Sequence, residues 1–437
     1  MPKIEQTPPN ASNFIFSLRK LGYSFSSALA DIIDNSIGHG EANQINLNYY
    51  PRESWLSIQD NGIGMDKKNL LNAMTLGSSN PESVRSENDL GRFGCGLKTA
   101  SFSQCIKLTV ISNQKNILSA ACWNLKRIKE SGTWDLEILN KNEIKDLTKK
   151  YDLTIDESGT IILWEDIDSL RGIDDQEMED DQAAKIDESK SHLSLVFHRF
   201  IEDKSITINF NHEVLKPLNP FLEGKAKTHQ TPIQHFLLPP SFANQSNKDQ
   251  QSIAFTGYTL PPMNSIKETD QEVADLGDGL AQSQGFYIYR NKRLISFGGW
   301  FGLKRYQALT ELARVKVDVP NSLDEDWATD VKKTKMVPPP SVKKMMKTYL
   351  QKLIQPSLDR QNGAGAEAIN KSQHWMRAFK DGHAKYSINK DTDEYKELIS
   401  SLPKDKRLLL DRLSQEVAAD LPYDQLYVDI ADKQIKK

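Results

Sequence analysis

The polar residues Asp31 and Asn35 lie four positions apart in the segment ADIIDNS at residues 30–36. Residues four apart share one face of a helix, so this spacing points a carboxylate and an amide oxygen in the same direction. An amide oxygen can hold a hydrated magnesium ion and a carboxylate can orient a water, which is what phosphoryl transfer requires of a protein. A solvated helix face with Asn35 as a capping residue is the simpler alternative for this pair taken alone.

The turn DNGIGM at residues 60–65 follows a segment of alternating apolar and polar residues. Gly62 and Gly64 permit a positive-φ turn, and their lack of a side chain lets a planar ligand approach the backbone. Asp60 stands at the end of the predicted strand, where its carboxylate can accept a hydrogen bond from an exocyclic amine. An ordinary tight turn has the same residues, so this turn indicates a base site only in combination with other motifs.

A glycine cluster, GRFGCGLK at residues 91–98, opens a predicted helix. Small residues expose several backbone N–H groups there, and the helix dipole favours an anion, so the cluster predicts phosphate binding. It is not the GxxxxGK[ST] loop, and it lacks the acidic partner about 20 positions later that a dinucleotide fold requires. A flexible hinge would explain the glycines equally well.

These motifs lie in a segment that predicts mixed helices and strands. Two helices with a break at residues 21–23 fit the apolar spacing of residues 11–36, and further helices are predicted at 66–76 and 93–104. Strands are predicted at residues 44–50, 54–60, 105–112, 117–124 and 159–165, and a polar loop at residues 77–92. Residues 1–170 therefore predict one α/β sandwich.

The rest of the chain divides by composition and pattern. An acidic stretch at residues 174–181 predicts a solvated loop at a domain boundary. A second α/β region begins near His192, with strands predicted near residues 205–210, 252–259, 285–290 and 313–319. A segment predicted to be helical follows the three prolines at residues 338–340. At about 150 residues per domain, we predict three domains, at residues 1–175, 190–340 and 341–437.

The composition limits the functions that the chain can have. Lysine and arginine number 56 against 59 aspartate and glutamate residues, a net charge of −3, so contact with nucleic acid needs a local basic patch. Cys95, Cys105 and Cys122 are too few and too far apart for a CxxC-type zinc site or a disulfide framework. No run approaches the roughly 18 apolar residues of a membrane span, and we expect a cytoplasmic protein without a membrane partner.

The motifs taken together resemble the GHKL ATPase superfamily, which includes gyrase B subunits, the heat-shock chaperone of that group, sensor histidine kinases and MutL. ALADIIDNSIGHGEA resembles the family's asparagine-bearing helix, DNGIGM its adenine-binding turn, LGRFGCGLKTAS its phosphate-binding glycine box and SGTIILWEDI its threonine-bearing strand. The lead-in SLRKLGYSFSSALADIIDNSI is most similar to MORC-type ATPases and their bacterial relatives.

The resemblance covers residues 12–340 and implies an α+β fold. The expected architecture is a GHKL (Bergerat-type) α/β sandwich ATPase domain, then a transducer-like α/β domain of the ribosomal S5-like type, and a small helical C-terminal region. The segment HLSLVFHRFI and residues 205–220 carry the similarity to the second domain of MutL and MORC proteins.

The resemblance assigns ATP-binding roles position by position. Asn35 would bind Mg²⁺, Asp60 would accept the adenine amine, and Thr160 would support that contact. The cofactor-binding positions in the base turn and the glycine box are Gly62, Gly64, Met65, Gly91, Arg92, Phe93, Gly94, Cys95, Gly96, Leu97 and Lys98. Residues 77–89, beginning at Gly77, would form a lid that closes over the nucleotide.

Asp31 occupies the position at which the family usually carries a glutamate as the catalytic base. Its side chain is one methylene shorter, and a displacement of about 1 Å can cost about 100-fold in rate, so the resemblance implies slow hydrolysis. A second departure is Gly38-His39, which replaces the usual Asp-Ala after Asn-Ser-Ile.

A lysine of the second domain reaches the γ-phosphate in the family. The segment TDVKKTK at residues 329–335 offers Lys332, Lys333 and Lys335 for this role, and we favour Lys333 as the second catalytic residue. A solvated lysine cluster is the alternative explanation of such a run.

The resemblance implies a Mg²⁺-dependent ATPase that acts as a nucleotide-gated clamp. ATP would close the lid, two N-terminal regions would form a homodimer, and the second domain would relay the closure. Four lysines without an acidic residue at residues 341–352 offer a local patch for DNA. Bacterial relatives of this form imply restriction-type or antiviral defence beside nuclease or helicase partners.

Three alternatives stay open at this point. A catalytically weak or silent nucleotide-gated scaffold follows if Asp31 does not serve as a base. A chaperone-like ATPase would need a C-terminal dimerisation domain, for which residues 370–437 are short. A sensor kinase would need a phosphoacceptor helical hairpin before the ATPase domain, where only residues 1–10 precede the first predicted helix.

Overall fold

The computed structural model describes residue 5, residue 7 and residues 9–20, 22–78, 96–168, 175–238, 252–261, 267–276, 279–304, 310–320, 328–329, 336–363, 375–380 and 383–419. The chain divides into two compact units, Met1–Lys343 and Lys344–Lys437. Within the described part of the chain, no helix is both long and apolar enough to cross a membrane.

The first unit mixes helices and strands along its whole length. Its helices are α1 (Ala11–Arg19), α2 (Phe25–Gly38), α3 (Lys67–Met74), α4 (Gly96–Gln104), α5 (Leu125–Ser131), α6 (Lys141–Lys150), α7 (Asp175–Val196), α8 (His198–Glu202), α9 (Glu268–Asp275) and α10 (Leu280–Ser283). Its strands are β1 (Gln44–Tyr50), β2 (Trp55–Asp60), β3 (Cys105–Gln114), β4 (Ile117–Asn124), β5 (Glu137–Leu139), β6 (Gly159–Ile167), β7 (Thr207–Phe210), β8 (Glu213–Val214), β9 (His229–Gln230), β10 (Gln234–Leu237), β11 (Ser252–Thr259), β12 (Gly285–Arg290), β13 (Arg293–Phe297), β14 (Ala313–Val319), β15 (Ala328–Thr329) and β16 (Met336–Val337).

The first sheet has the strand order β5-β4-β3-β6-β2-β1-β7-β8. Apolar side chains of α2 and of the central strands share one core, in which Ile32, Ile33 and Leu56 have no exposed surface. Trp164 of β6 is also fully buried, and its Nε1 donates to Ser101 Oγ of α4 at 2.9 Å. This arrangement confirms the predicted α+β fold class.

The strand β7 runs parallel to β1, with the register Gln44↔Thr207 to Leu47↔Phe210. The segment predicted near residues 205–210 as part of the second α/β region therefore belongs to the first sheet. An alternating pattern predicts a strand but not the strand that it pairs with, which is set by tertiary structure. The acidic stretch at residues 174–181 also differs from the sequence prediction, because α7 begins at Asp175 where a loop was predicted.

The second sheet has the strand order β10-β11-β14-β12-β13, and β9 pairs with β11. The strands β12 and β14 are parallel, whereas β12 and β13 form an antiparallel hairpin. Every residue of β12 is buried, which fits its near-continuous apolar and aromatic sequence GFYIYR. The hairpin begins its second strand, β13, with Arg293, which is buried against Asp34 of α2.

A long helix, α11 (Pro340–Gly363), spans the boundary between the two units. The second unit continues with the strands β17 (Trp375–Lys380) and β18 (His383–Ile388) and the helices α12 (Asp393–Ser401) and α13 (Lys404–Ala419). The two strands pair antiparallel, so this region contains a β-hairpin in addition to its predicted helices.

Candidate functional site

Asp60 ends β2 and is 7% exposed. Its Oδ2 accepts a hydrogen bond from Ser36 Oγ at 2.9 Å, and its Oδ1 accepts one from the Gly62 N–H at 3.0 Å. Burial raises the pKa of Asp60 above its ordinary value, and these hydrogen bonds offset part of that rise. The carboxyl group is thus fixed in position at the edge of the base turn.

The predicted adenine-binding turn at residues 60–65, called the base turn here, lies so close to neighbouring backbone that only glycine fits at two of its positions. Gly64 has φ +67°, and a Cβ added there would lie 1.8 Å from the Asn113 carbonyl oxygen. A Cβ added at Gly62 would lie 2.2 Å from the Gly40 carbonyl oxygen. The two glycines that the sequence singled out are therefore required by the backbone path of the turn itself.

Thr160 lies directly opposite Asp60 in the register of β2 and β6. Its Oγ1 is 2.9 Å from Ser112 Oγ of β3, and that serine oxygen also accepts a hydrogen bond from the Met65 N–H at 2.8 Å. Ser112 thus joins Met65 to Thr160, and the strand register places Thr160 beside Asp60. Sequence reasoning did not single out Ser112, because nothing in its local spacing marks it.

Helix α2 carries Asp31 and Asn35 and begins after Ser24, whose side chain caps the Ser27 N–H. Asn35 Nδ2 donates to the Asp31 carbonyl oxygen at 3.0 Å, so the Asn35 amide oxygen points away from that bond. The Asp31 side chain is 5% exposed, and its Oδ2 accepts a hydrogen bond from Tyr23 Oη at 3.1 Å. The structure therefore places the predicted pair on one helix, in contact with each other.

Helix α4 begins beside Asp31. A Cβ added at Gly96 would lie 3.8 Å from Asp31 Oδ2, so the acidic side chain is within van der Waals reach of the last glycine of the box. Lys98 is 2% exposed, and its Nζ donates to the Ala73 carbonyl oxygen at the end of α3 at 2.8 Å. Leu97 packs against the central core.

Several predicted positions lie outside the described residues. They are Gly91, Arg92, Phe93, Gly94 and Cys95 of the glycine box, residues 79–89 of the predicted lid, and the lysines Lys332, Lys333 and Lys335. Gly77, at the start of the predicted lid, is described and has φ +68° with open space on its Cβ side.

An ion pair links α2 to the second sheet. Arg293 Nε of β13 donates to Asp34 Oδ1 at 2.8 Å, and the guanidinium group lies 4.7 Å from the centre of the Phe197 ring. His192 of α7 lies nearby, and its pKa is lowered to about 4 by desolvation and by the positive charge of Arg293. Sequence spacing gives no signal for a contact between residues so far apart in the chain.

The donors in this region fit ATP with Mg²⁺. Asn35 is partly exposed and directs a hard amide oxygen outward, which is a ligand type that Mg²⁺ accepts. Asp60 supplies a fixed hydrogen-bond acceptor for an exocyclic amine at the end of β2.

The N-terminal part of the chain is similar to a known protein family. Residues 23–160 match the family described as histidine kinase-, DNA gyrase B-, and HSP90-like ATPase. The matched segment contains Asp31, Asn35, Asp60 and Thr160, and it is therefore similar to the ATPase domains of the GHKL superfamily. Domains of this class bind ATP, which supports a nucleotide-dependent function for residues 23–160.

The similarity extends to the MORC-type ATPases. The chain is 28% identical over 120 residues to the ATPase morc-1 of Caenorhabditis elegans, a match that covers 27% of this chain. It spans 14% of the length of that relative. The GHKL and MORC-type resemblance predicted from the sequence is therefore confirmed.

Proposed function

We propose that the first domain binds ATP with Mg²⁺ and hydrolyses it. The observation that carries this proposal is the hydrogen bond from Ser36 Oγ to Asp60 Oδ2 at 2.9 Å. Because Ser36 follows Asn35 on α2, this bond holds the proposed base-recognising carboxylate and the proposed metal ligand in one fixed relationship.

Adenine binds at the turn after β2. Asp60 accepts a hydrogen bond from the exocyclic amine, and Thr160 supports that contact from the adjacent strand. Gly62 and Gly64 shape the base pocket by letting the turn lie against the Gly40 and Asn113 carbonyl oxygens, and Met65 lies at its edge. Ser112 holds the Met65 backbone and the Thr160 hydroxyl in place, which keeps this pocket rigid.

The phosphates bind between α2 and the N-terminus of α4. Asn35 holds Mg²⁺ through its amide oxygen, and bound Mg²⁺ supplies positive charge that neutralises the phosphate oxygens. Backbone N–H groups of the glycine box at residues 91–98 contact the phosphates, where the α4 dipole favours negative charge. Lys98 lies at the same end of α4 and adds a positive charge near it.

Asp31 is the proposed general base. Its carboxylate accepts a proton from a water while the water oxygen forms a bond to the γ-phosphorus, the bond to the bridging oxygen breaks, and ADP leaves. The position of Asp31 beside Gly96 supports this role, because the glycine box is where the γ-phosphate would lie. Lys333 from the second domain stabilises the negative charge of the transferred group.

The domain works as a nucleotide-gated clamp in this proposal. ATP closes the lid at residues 77–89, two copies of the chain dimerise, and the transducer-like second domain relays the change. The buried pair of Asp34 and Arg293 supports this link, because it ties the second sheet to the helix that carries Asn35. The lysines of residues 341–352 contact DNA, and nuclease or helicase partners in a defence system complete the assembly.

A silent nucleotide-gated scaffold is the second candidate. It is favoured by one observation, which is that the shorter side chain of Asp31 is 5% exposed and is drawn toward Tyr23 inside the protein. A carboxylate held too far from the γ-phosphate would bind ATP without hydrolysing it.

The test measures ATP turnover with Mg²⁺ for the wild type, Asp31→Asn and Asp31→Glu, together with nucleotide affinity for each. We expect turnover in the wild type, its loss in Asp31→Asn at unchanged affinity, and its retention in Asp31→Glu. Asp166→Asn is the matched control, because Asp166 is exposed and pairs with Lys126 at 2.6 Å on the surface. ATP binding without turnover in all forms would favour the scaffold instead.

A further inference from the structure

Tyr23 contacts the proposed catalytic base from a position that the ATP motifs do not include. It lies in the connection between α1 and α2 and is 9% exposed. Its Oη donates to Asp31 Oδ2 at 3.1 Å, and both side chains are buried. A tyrosine hydroxyl that donates to a buried carboxylate forms a charge-assisted hydrogen bond, which is among the stronger kinds in proteins.

The backbone around Tyr23 is held on two sides. Gln104 Nε2, at the end of α4, donates to the Tyr23 carbonyl oxygen at 3.3 Å. The next residue, Ser24, caps α2 by accepting a hydrogen bond from the Ser27 N–H at 3.1 Å. The backbone at Tyr23 is therefore held relative to both α2 and α4, the two helices on either side of the proposed phosphate site, and its side chain is buried in the core.

The same oxygen of Asp31 faces the glycine box. Asp31 Oδ2 lies 3.8 Å from the Cβ position of Gly96 and accepts the Tyr23 hydrogen bond. The torsion that rotates an aspartate carboxylate has broad energy minima, so the helix alone does not fix its orientation. A donor on one oxygen selects one orientation of the group.

We propose that Tyr23 is a positioning residue for ATP hydrolysis, and this inference rests on the proposed role of Asp31 as the base. An aspartate ends one methylene closer to the helix than the usual glutamate, so its carboxylate has less freedom to reach a water. Tyr23 compensates by holding that short carboxylate in one orientation beside the glycine box. Small errors in orientation at this distance have large effects on rate.

Tyr23→Phe tests the proposal, because it removes the hydroxyl and keeps the ring. We expect turnover to fall about 10- to 100-fold with the affinity for a nonhydrolysable ATP analogue unchanged, and the melting temperature to fall by a few degrees because a buried carboxylate loses a donor. Tyr287→Phe is the matched control. Tyr287 has no exposed surface and donates its hydroxyl to the Ser283 carbonyl oxygen at 2.6 Å in the second domain, so turnover should be unchanged there.

A second pair of variants separates positioning from packing. In the Asp31→Glu background the carboxylate moves away from Tyr23, so Tyr23→Phe should lower turnover less than about threefold. An equal effect of Tyr23→Phe in both backgrounds, or parallel losses of turnover and affinity, would overturn the positioning role. If the wild type turns over ATP and Tyr23→Phe does so at the same rate, the proposed role of Tyr23 is wrong and the hydrolysis proposal is unaffected. Absence of turnover in the wild type would overturn the hydrolysis proposal and this role together.

Discussion

Arg293 Nε and Asp34 Oδ1 lie 2.8 Å apart, and their side chains are 6% and 1% exposed. The pair joins the first residue of β13 to α2, one position before Asn35. A charged pair this deeply buried has lost the hydration of both ions, so each charge depends on the protein for its stabilisation. The second sheet is thereby tied to the helix of the proposed metal ligand.

Arg293→Met should destabilise the protein strongly. It leaves the Asp34 carboxylate in a dry site without the guanidinium, which we expect to cost about 3 kcal/mol in the free energy of unfolding. The double variant Arg293→Met with Asp34→Asn should be more stable than Arg293→Met alone, because the buried negative charge is gone as well. Urea denaturation of the full chain measures both.

The control for this prediction is the exposed pair of Lys126 and Asp166, whose side chains are 67% and 49% exposed. Lys126→Met should cost about 1 kcal/mol or less, since water screens such pairs. Equal losses for Lys126→Met and Arg293→Met would contradict a special role for the buried pair.

The lowered pKa of His192 predicts that the folded protein loses stability in mild acid. Its pKa in the folded protein is about 4, below the ordinary value of 6.5, so the unfolded chain binds the proton more readily. Stability from this group is therefore full above pH 6.5 and declines as the pH falls toward 4, by about 2 to 3 kcal/mol in total. His192→Gln should lack this part of the pH dependence.

The comparison of His192→Gln with the wild type isolates the histidine from other groups. The contribution of Asp60 to the pH dependence of stability has the opposite sign. Because its pKa is raised in the folded protein, protonation of its carboxyl stabilises the fold as the pH falls. The difference between the two proteins in urea denaturation, followed from pH 7 to pH 4, cancels that contribution. A difference that does not change with pH would show that His192 has the same pKa in the folded and unfolded states, and would contradict the prediction.

Gly64→Ala should destabilise the protein far more than Gly132→Ala, although the two glycines have similar backbone conformations. Gly64 has φ +67°, and its new Cβ would collide with the Asn113 carbonyl oxygen at 1.8 Å. Gly132 has φ +71° with no atom within 4 Å of its Cβ position, so Gly132→Ala should cost only about 1 to 2 kcal/mol for the backbone. Melting temperatures of the two variants give the comparison, and similar values would mean that the base turn can move.

The sequence predicted the parts of the site that local pattern controls. Asp31 and Asn35 share a helix, and Asp60 ends an alternating strand before a glycine turn, so spacing and residue type are sufficient to place them. Tyr23 and Arg293 were missed, because each acts through a tertiary contact that no period in the sequence encodes.

The same limit applies to the fold. The pattern of residues 205–210 indicates a strand, and the structure has β7 there, but its parallel partner β1 is more than 150 positions earlier in the chain. Two strands of similar alternation can pair with several neighbours, and the choice depends on the helices that cross between them. The order of the first sheet could therefore be learned only from the structure.

Asp60→Asn should reduce the affinity for ATP and also the preference for ATP over GTP. The carboxylate accepts from the adenine amine in the proposed site, whereas guanine carries an oxygen at the corresponding position. We expect ATP to bind about 10- to 100-fold more weakly, with a smaller change for GTP. Equal losses for the two nucleotides in calorimetric titrations would place the base elsewhere.

Asn35→Ala should remove the contribution of Mg²⁺ to ATP affinity. The Asn35 amide nitrogen is engaged with the Asp31 carbonyl oxygen at 3.0 Å, so the helix itself presents the amide oxygen as a ligand. In the wild type, ATP should bind more tightly with Mg²⁺ than with a chelator, and in Asn35→Ala this difference should fall to about threefold or less. Affinity in the chelator should match the wild type, since the base turn is untouched.

Asn209→Ala is the control, because Asn209 pairs with Asn46 at 2.7 Å between β7 and β1, on strands that carry none of the proposed nucleotide contacts. If Asn35→Ala kept the full Mg²⁺ effect, the metal would be held by other groups and the proposed assignment of Asn35 would be wrong.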